Sequence, residues 1–222
     1  MARFPQLQTT EGSQKYIQKL INDKPEIRNI HLRQTLNLSD DEKIQWLSPL
    51  KNDDYAEYRD EAFLERLGSN PEEIRLEDFW PRGGPQWDAL GKSPSGKIFL
   101  VEAKSHIPEL ISTLKATNKY SKDKILRSLE ETKKRFCVKT DFDWSKTFYQ
   151  YTNRLAHVYF LRKNKLDAWL VDVYFLNDLE MDGPKTADEW KGTIRLLHRC
   201  LGLREHMLES WIVDVFVDVA QL

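Results

Sequence analysis

The sequence predicts an α/β protein whose mixed central sheet is flanked by helices. Two apolar runs rich in β-formers, Ile98–Val101 and Asp167–Leu176 (DAWLVDVYFL), read as buried strands. Between them lie segments with apolar residues at helical spacing, so the second run can return parallel to the first through a helical crossover. The chain closes on Trp211–Val219 (WIVDVFVDV), which alternates as a further strand does.

Taken in order, residues 1–52 are expected to be an N-terminal helical appendage, with polar helices at roughly Gly12–Asp23 and Asp40–Trp46. The boundary falls near Ser48–Asp54, where Pro49, Lys51 and Asn52 break the periodicity. Residues 53–222 form the main domain. It opens with a helix over Asp53–Gly68, where Ala56, Phe63, Leu64 and Leu67 are spaced helically and Gly68 stands just past the end. A strand is expected at Leu76–Trp80, and Gly83-Gly84-Pro85 is the turn out of it. Gln86–Lys104 then reads as a β-hairpin with Gly91, Ser93, Pro94, Ser95 and Gly96 as turn formers. Helices follow at Lys122–Val138, with Ile125, Leu129 and Phe136 on one stripe, and at about Asp143–Arg162.

Composition narrows the class. Forty per cent hydrophobic residues suffices for a core, and no stretch approaches the apolar length of a membrane span. The start MARFPQLQTT lacks a signal-peptide apolar region, and two distant cysteines, Cys137 and Cys200, argue against a disulfide framework. The expectation is a cytoplasmic protein. Net charge is −1 overall, yet Ser105–Lys139 holds seven Lys and two Arg against three Glu and one Asp, a local excess of +5. That segment is the one expected to face a polyanion, unless it is simply a solvated helix face.

The hairpin carries the chemistry. Side chains alternate along a strand, so Glu102 and Lys104 share a face while Ala103 points the other way. The turn can bring Asp88 alongside. Two neighbouring carboxylates repel unless a cation sits between them, and magnesium favours carboxylate oxygens with retained waters and substrate phosphate. Lys104 could hold or help deprotonate the attacking water and offset charge on the phosphate. The Ala103 carbonyl is a further candidate ligand. The alternative is a surface hairpin with a same-face ion pair worth less than about 1 kcal/mol.

Asp88, followed after a turn by Glu102-Ala103-Lys104 at the end of an apolar strand, resembles the core motif of the PD-(D/E)XK nuclease superfamily. The resemblance spans roughly Asp53–Leu176 and implies a restriction-endonuclease-like core of order αβββαβ. It departs in one place: the proline before the Asp is Pro85 rather than the adjacent residue. The resemblance implies Asp88 and Glu102 as ligands of Mg²⁺, with Mn²⁺ as a substitute, and Lys104 as the catalytic lysine. It also implies an acid on the preceding helix, where Glu57 and Glu61 lie one turn apart and Glu61 is favoured; a solvated charged face explains either equally well. Gln150-Tyr151-x-x-Arg154 partly matches a Gln placed near the substrate in some members, as would a hydrogen-bonded pair on a helix surface.

The function implied is a metal-dependent nuclease acting on DNA, with room for a homodimer. The rival is a catalytically silent nucleic-acid-binding or interaction protein on the same fold. Other constellations carry less. His198, Cys200 and His206 lack the fourth ligand of a closed zinc site. Asp214 and Asp218 fall on one face of the last strand, where outward charges on an edge are the ordinary reading.

Overall fold

A computed structural model describes residues 3–36, 38–39, 42–70 and 72–222. The strands are β1 (Arg3–Phe4), β2 (Gln45–Ser48), β3 (Glu57–Tyr58), β4 (Ala89–Lys92), β5 (Ile98–Lys104), β6 (Ala168–Leu176) and β7 (Ile212–Asp218). The helices are α1 (Gly12–Asn22), α2 (Pro25–Thr35), α3 (Glu61–Arg66), α4 (Leu76–Phe79), α5 (Lys119–Arg135), α6 (Tyr149–Lys163), α7 (Ala187–Leu201) and α8 (Glu205–Leu208). The five-stranded sheet runs β2-β4-β5-β6-β7. Its β2/β4 and β4/β5 pairs are antiparallel, while β5/β6 and β6/β7 are parallel. A separate two-stranded ribbon joins β1 to β3.

The central strand explains the layering. Every residue of β5 is buried, so both of its faces need cover. Phe99, Val101 and Ala103 pack with Val171, Val173 and Val215 against Tyr16, Ile17, Leu20 and Ile21 of α1 and Leu32 of α2. Ile98 and Leu100 face the other way, toward Ile125 and Leu129 of α5, Leu155 of α6 and Leu197 of α7. Each fully buried side chain of this kind contributes about 1.5–3 kcal/mol, so the apolar stripe of α1 and α2 is worth on the order of 10 kcal/mol. That is as large as a typical net domain stability.

Residues 1–52 are therefore not an appendage. β2 lies before the expected boundary and pairs with β4 after it, and α1 and α2 form one of the two helical layers. Asp40, the expected start of a second polar helix, lies outside the described residues, and Gln45–Ser48 is strand rather than helix. The second helix of this region is instead α2, earlier in the chain, which begins at Pro25, a residue suited to a first helical position.

The segment expected as a strand at Leu76–Trp80 is the single turn α4. Leu76, Phe79 and Trp80 are all buried, and their spacing of three and four residues suits one helical face. The first strand of the meander is instead β2. The helix expected over Asp53–Gly68 is confined to α3, because Glu57 and Tyr58 are strand and Asp60 takes φ 53°. Helices α1 and α5 and strands β6 and β7 fall close to expectation, β6 parallel to β5 included, whereas α6 begins at Tyr149 rather than near Asp143 and α7 is an element not singled out in the sequence. Among the described residues, no helix is long and apolar enough to cross a membrane.

Candidate active site

Asp88 stands one residue before β4, and the pairing of Ala89 with Val101 brings it beside the end of β5. There Asp88 Oδ2 accepts the Ala103 N–H at 2.7 Å, replacing the ladder bond that β4 is too short to make. The N–H and C=O of one strand residue face the same neighbour, so the Ala103 carbonyl also opens toward Asp88. Asp88 Oδ1 has no hydrogen-bond partner among the described residues.

Glu102 and Lys104 continue the face of β5 that meets α6. Their pairing with Asp172 and Tyr174 on β6 fixes them in register. Lys104 Nζ donates to Glu102 Oε1, and Gln150 Nε2 donates to the same oxygen at 2.7 Å. Arg154, one turn further along α6, places Nε 2.6 Å from Glu102 Oε2. Its other nitrogens reach the Gln86 carbonyl and Asn153 Oδ1, both at 2.9 Å, and its guanidinium lies 5.1 Å from the Trp87 ring. These polar side chains are internal because α6 is buried on nearly every side.

The acid that joins this group is Glu57, not Glu61. Glu57 is 4% exposed on β3, and its carboxylate accepts from Gln14 at 2.9 Å, from Gln6 at 3.3 Å and from Gln86. Glu61 sits half-buried at the start of α3 and takes no part in the hydrogen bonds or charge coupling of Asp88, Glu102 or Lys104. The expected helical stagger of the two acids is lost at Asp60. The Asp60 carboxylate accepts the Gly83 and Gly84 amides at 3.1 and 2.8 Å, so the anion cradled by this glycine pair is the protein's own.

Three carboxylates, Glu57, Asp88 and Glu102, thus face two cations. Burial raises the Asp88 carboxyl well above the usual range; Glu102 and Glu57 raise it further, against Lys104 and the Ala103 amide. Burial likewise raises Glu57, opposed by Gln86 and Gln14. For Glu102 burial pushes upward too, but Arg154 and Lys104 outweigh it and the carboxyl is lowered. Lys104 is held protonated: burial works against its charge, and Glu102 and Asp88 overcome it. The cluster borders a small cavity of about 10 Å³ lined by Glu102, Lys104, Arg154, Asp172 and Tyr174. It has room for about one water.

Asp172 and Glu109 emerge only from the structure. Asp172 is 4% exposed and its Oδ2 is unpaired; burial raises its carboxyl, with Asp214 and Glu102 adding to the effect. A lone acid in an otherwise apolar strand was its signal. Glu109 accepts the Ser105 amide at 2.6 Å and Ser13 Oγ at 2.7 Å, fastening the residue after Lys104 to α1.

Several set-aside residues have ordinary partners. His198 bonds the Tyr151 hydroxyl at 2.7 Å, Cys200 is a free thiol, and the His206 side chain lies outside the described residues. Asp218 caps the Ala220 amide at 2.9 Å. Asp214 is half-buried rather than turned fully outward, and burial brings it up to about 6.

Among the described residues, no group of three His, Cys, Asp or Glu is already arranged to hold a metal ion. The donor chemistry nonetheless fits a hard cation. Asp88 keeps an oxygen without a partner among the described residues, and a carboxyl raised by burial and then by acidic neighbours is one that a divalent ion would return to the charged form. Glu102 fits only if Lys104 and Gln150 yield Oε1. No protein-family model, no curated protein and no solved structure matches the chain.

Proposed function

We propose that this protein is a metal-dependent nuclease of the PD-(D/E)XK kind, hydrolysing phosphodiester bonds of DNA. The observation that carries the reading is the meeting of Asp88 with Glu102, Ala103 and Lys104 at one strand end, through the 2.7 Å bond from the Ala103 amide to Asp88. Asp88, Glu102 and the Ala103 carbonyl would hold Mg²⁺, with Glu57 as an acid nearby. When bound, the ion supplies a water of lowered pKa and charge stabilisation at the phosphate.

The chain's own groups divide the remaining work. Lys104 enters as an ammonium, because Glu102 and Asp88 keep it charged. Its task is to orient the attacking water and offset charge developing on the phosphate. Gln150 and Arg154 hold the Glu102 carboxylate, so both are positioning residues. Asp88 aligns with β5 by gripping the Ala103 amide.

A second reading has its own support. Arg154, Lys104 and Gln150 already satisfy both oxygens of Glu102, as they would in a catalytically silent nucleic-acid-binding or interaction protein. The test is cleavage of plasmid and of single-stranded oligonucleotide in Mg²⁺ or Mn²⁺, with calorimetric titration of the ion. The nuclease reading expects cutting that needs the ion and falls by at least about 100-fold in Lys104→Ala. No cutting, together with no ion binding that depends on Asp88, leaves the silent protein.

A further inference from the structure

A second depression, separate from the small cavity at Glu102, opens between residues 81–83, residues 113–118 and the first turn of α6. Its volume is about 460 Å³, within the range that admits a small ligand or one unit of a polymer. Each wall is joined along the chain to a residue of the cluster. The first leads to Asp88, the second follows Lys104 through the 3-10 turn Ile107–Leu110, and Tyr149 adjoins Gln150.

The lining is cationic and hydroxylated. Arg82 and Lys115 supply charge, while Thr113, Thr117 and Ser121 supply hydroxyls, and no acidic side chain contributes. Leu114 and Ile125 make an apolar floor beside the Tyr149 ring. Next to Ser121 of the lining, Tyr120 is 67% exposed on the same helix, leaving its ring free to stack. It sits between Lys119 and Lys122, with the Lys124 ammonium 4.9 Å from its ring centroid.

Cations for phosphates, hydroxyls for sugars and an exposed ring for bases are the combination that binds unpaired nucleic acid. A duplex keeps its bases stacked inside and would reach only the rim. We propose that this groove binds a single strand, with phosphates on Arg82 and Lys115 and a base against Tyr120, and guides it toward Asp88 and Lys104. The proposal deepens the nuclease reading and rests on it for the polymer: the substrate is an unpaired end, flap or single strand rather than intact duplex.

The experiment is fluorescence anisotropy of the whole chain in EDTA, with labelled oligothymidylate, a duplex of equal length and thymidine monophosphate as competitor. The single strand should bind at least about tenfold more tightly than duplex, as stacking of a single base already provides. Arg82→Ala/Lys115→Ala should weaken it by at least about tenfold and reduce the log–log salt slope by about 1.4, near 0.7 per phosphate contact. Tyr120→Ala should weaken binding with the slope unchanged. Arg82, Lys115 and Tyr120 are all exposed, so the variants keep the core, which circular dichroism verifies.

Preference for duplex, no binding of the single strand, or affinity unmoved in all variants overturns the proposal. So does competition by the monophosphate at comparable concentration, which would make this a mononucleotide site. Cleavage is assayed separately in Mg²⁺. Single-strand binding without cutting sinks the nuclease reading and leaves the groove, whereas cutting without single-strand preference sinks the groove alone.

Discussion

Arg154 Nε lies 2.6 Å from Glu102 Oε2, and the same guanidinium holds the Gln86 carbonyl at 2.9 Å. One side chain of α6 therefore ties the acid on β5 to the loop that delivers Asp88. A buried pair broken from one side leaves an uncompensated charge. Arg154→Leu should cost about 3–5 kcal/mol in EDTA and raise the Glu102 carboxyl. Thermal melts check this, and saturating Mg²⁺ should raise the variant's Tm more than the wild type's if the ion occupies the vacated side of Glu102.

Asp88 carries the opposite kind of strain. Its carboxyl is raised by burial and by its two acidic neighbours, so its contribution to stability is full at low pH and is lost as pH rises through its folded value. Asp88→Asn should match the wild type in acid and become the more stable protein, by about 1 kcal/mol, near neutral pH. The same variant should lose divalent-ion binding by titration calorimetry. A variant that is less stable at every pH would contradict the charge argument.

Asp214, beside Asp172 on the next strand, offers a second pH readout. Burial lifts it from the ordinary Asp range to about 6. Native stability should therefore fall as pH rises from about 4 through 6, as the unfolded state ionises first. Asp214→Asn should remove that fall and gain about 1–2 kcal/mol at pH 7, measured by urea unfolding across the pH range.

Gly183 tests how closely the loop after β6 presses on the residue that follows β5. A Cβ there would lie 2.2 Å from the Ser105 carbonyl oxygen, a backbone atom with little freedom to retreat. Gly183→Ala should destabilise by about 2–3 kcal/mol. Because Ser105 follows Lys104, cleavage should fall even at temperatures where the variant remains folded, and comparison of specific activity with folded fraction separates the two effects.

The strand-end motif was legible in the sequence because β5 obeys period two over its whole length. Glu102 and Lys104 indeed share a face and Ala103 the other, and β6 returns in parallel. The misread elements have definite causes. Leu76, Phe79 and Trp80 are bulky and apolar enough to suggest a strand, yet their spacing suits one helical turn. Gln45–Ser48 is too short and too polar in its surroundings to declare itself before β4 is there to pair with it. The exchange of Glu61 for Glu57 rests on the turn at Asp60, which its bonds to the Gly83 and Gly84 amides hold in place. Contacts between residues this far apart in sequence leave no local pattern to read. Asp172 showed in the sequence only as a lone acid in an apolar strand; its place opposite Glu102 on one side and Asp214 on the other comes from the strand pairing.

Gln14 on α1 grips the Glu57 carboxylate at 2.9 Å, and α1 is also what the underside of β5 is buried against. A gene fragment starting at residue 53 would encode a sheet with one greasy face open and an acid stripped of a partner. Cutting the chain there would also take away β2, the partner of β4. The strand that carries Glu102 and Lys104 and the N-terminal helices are one folding unit.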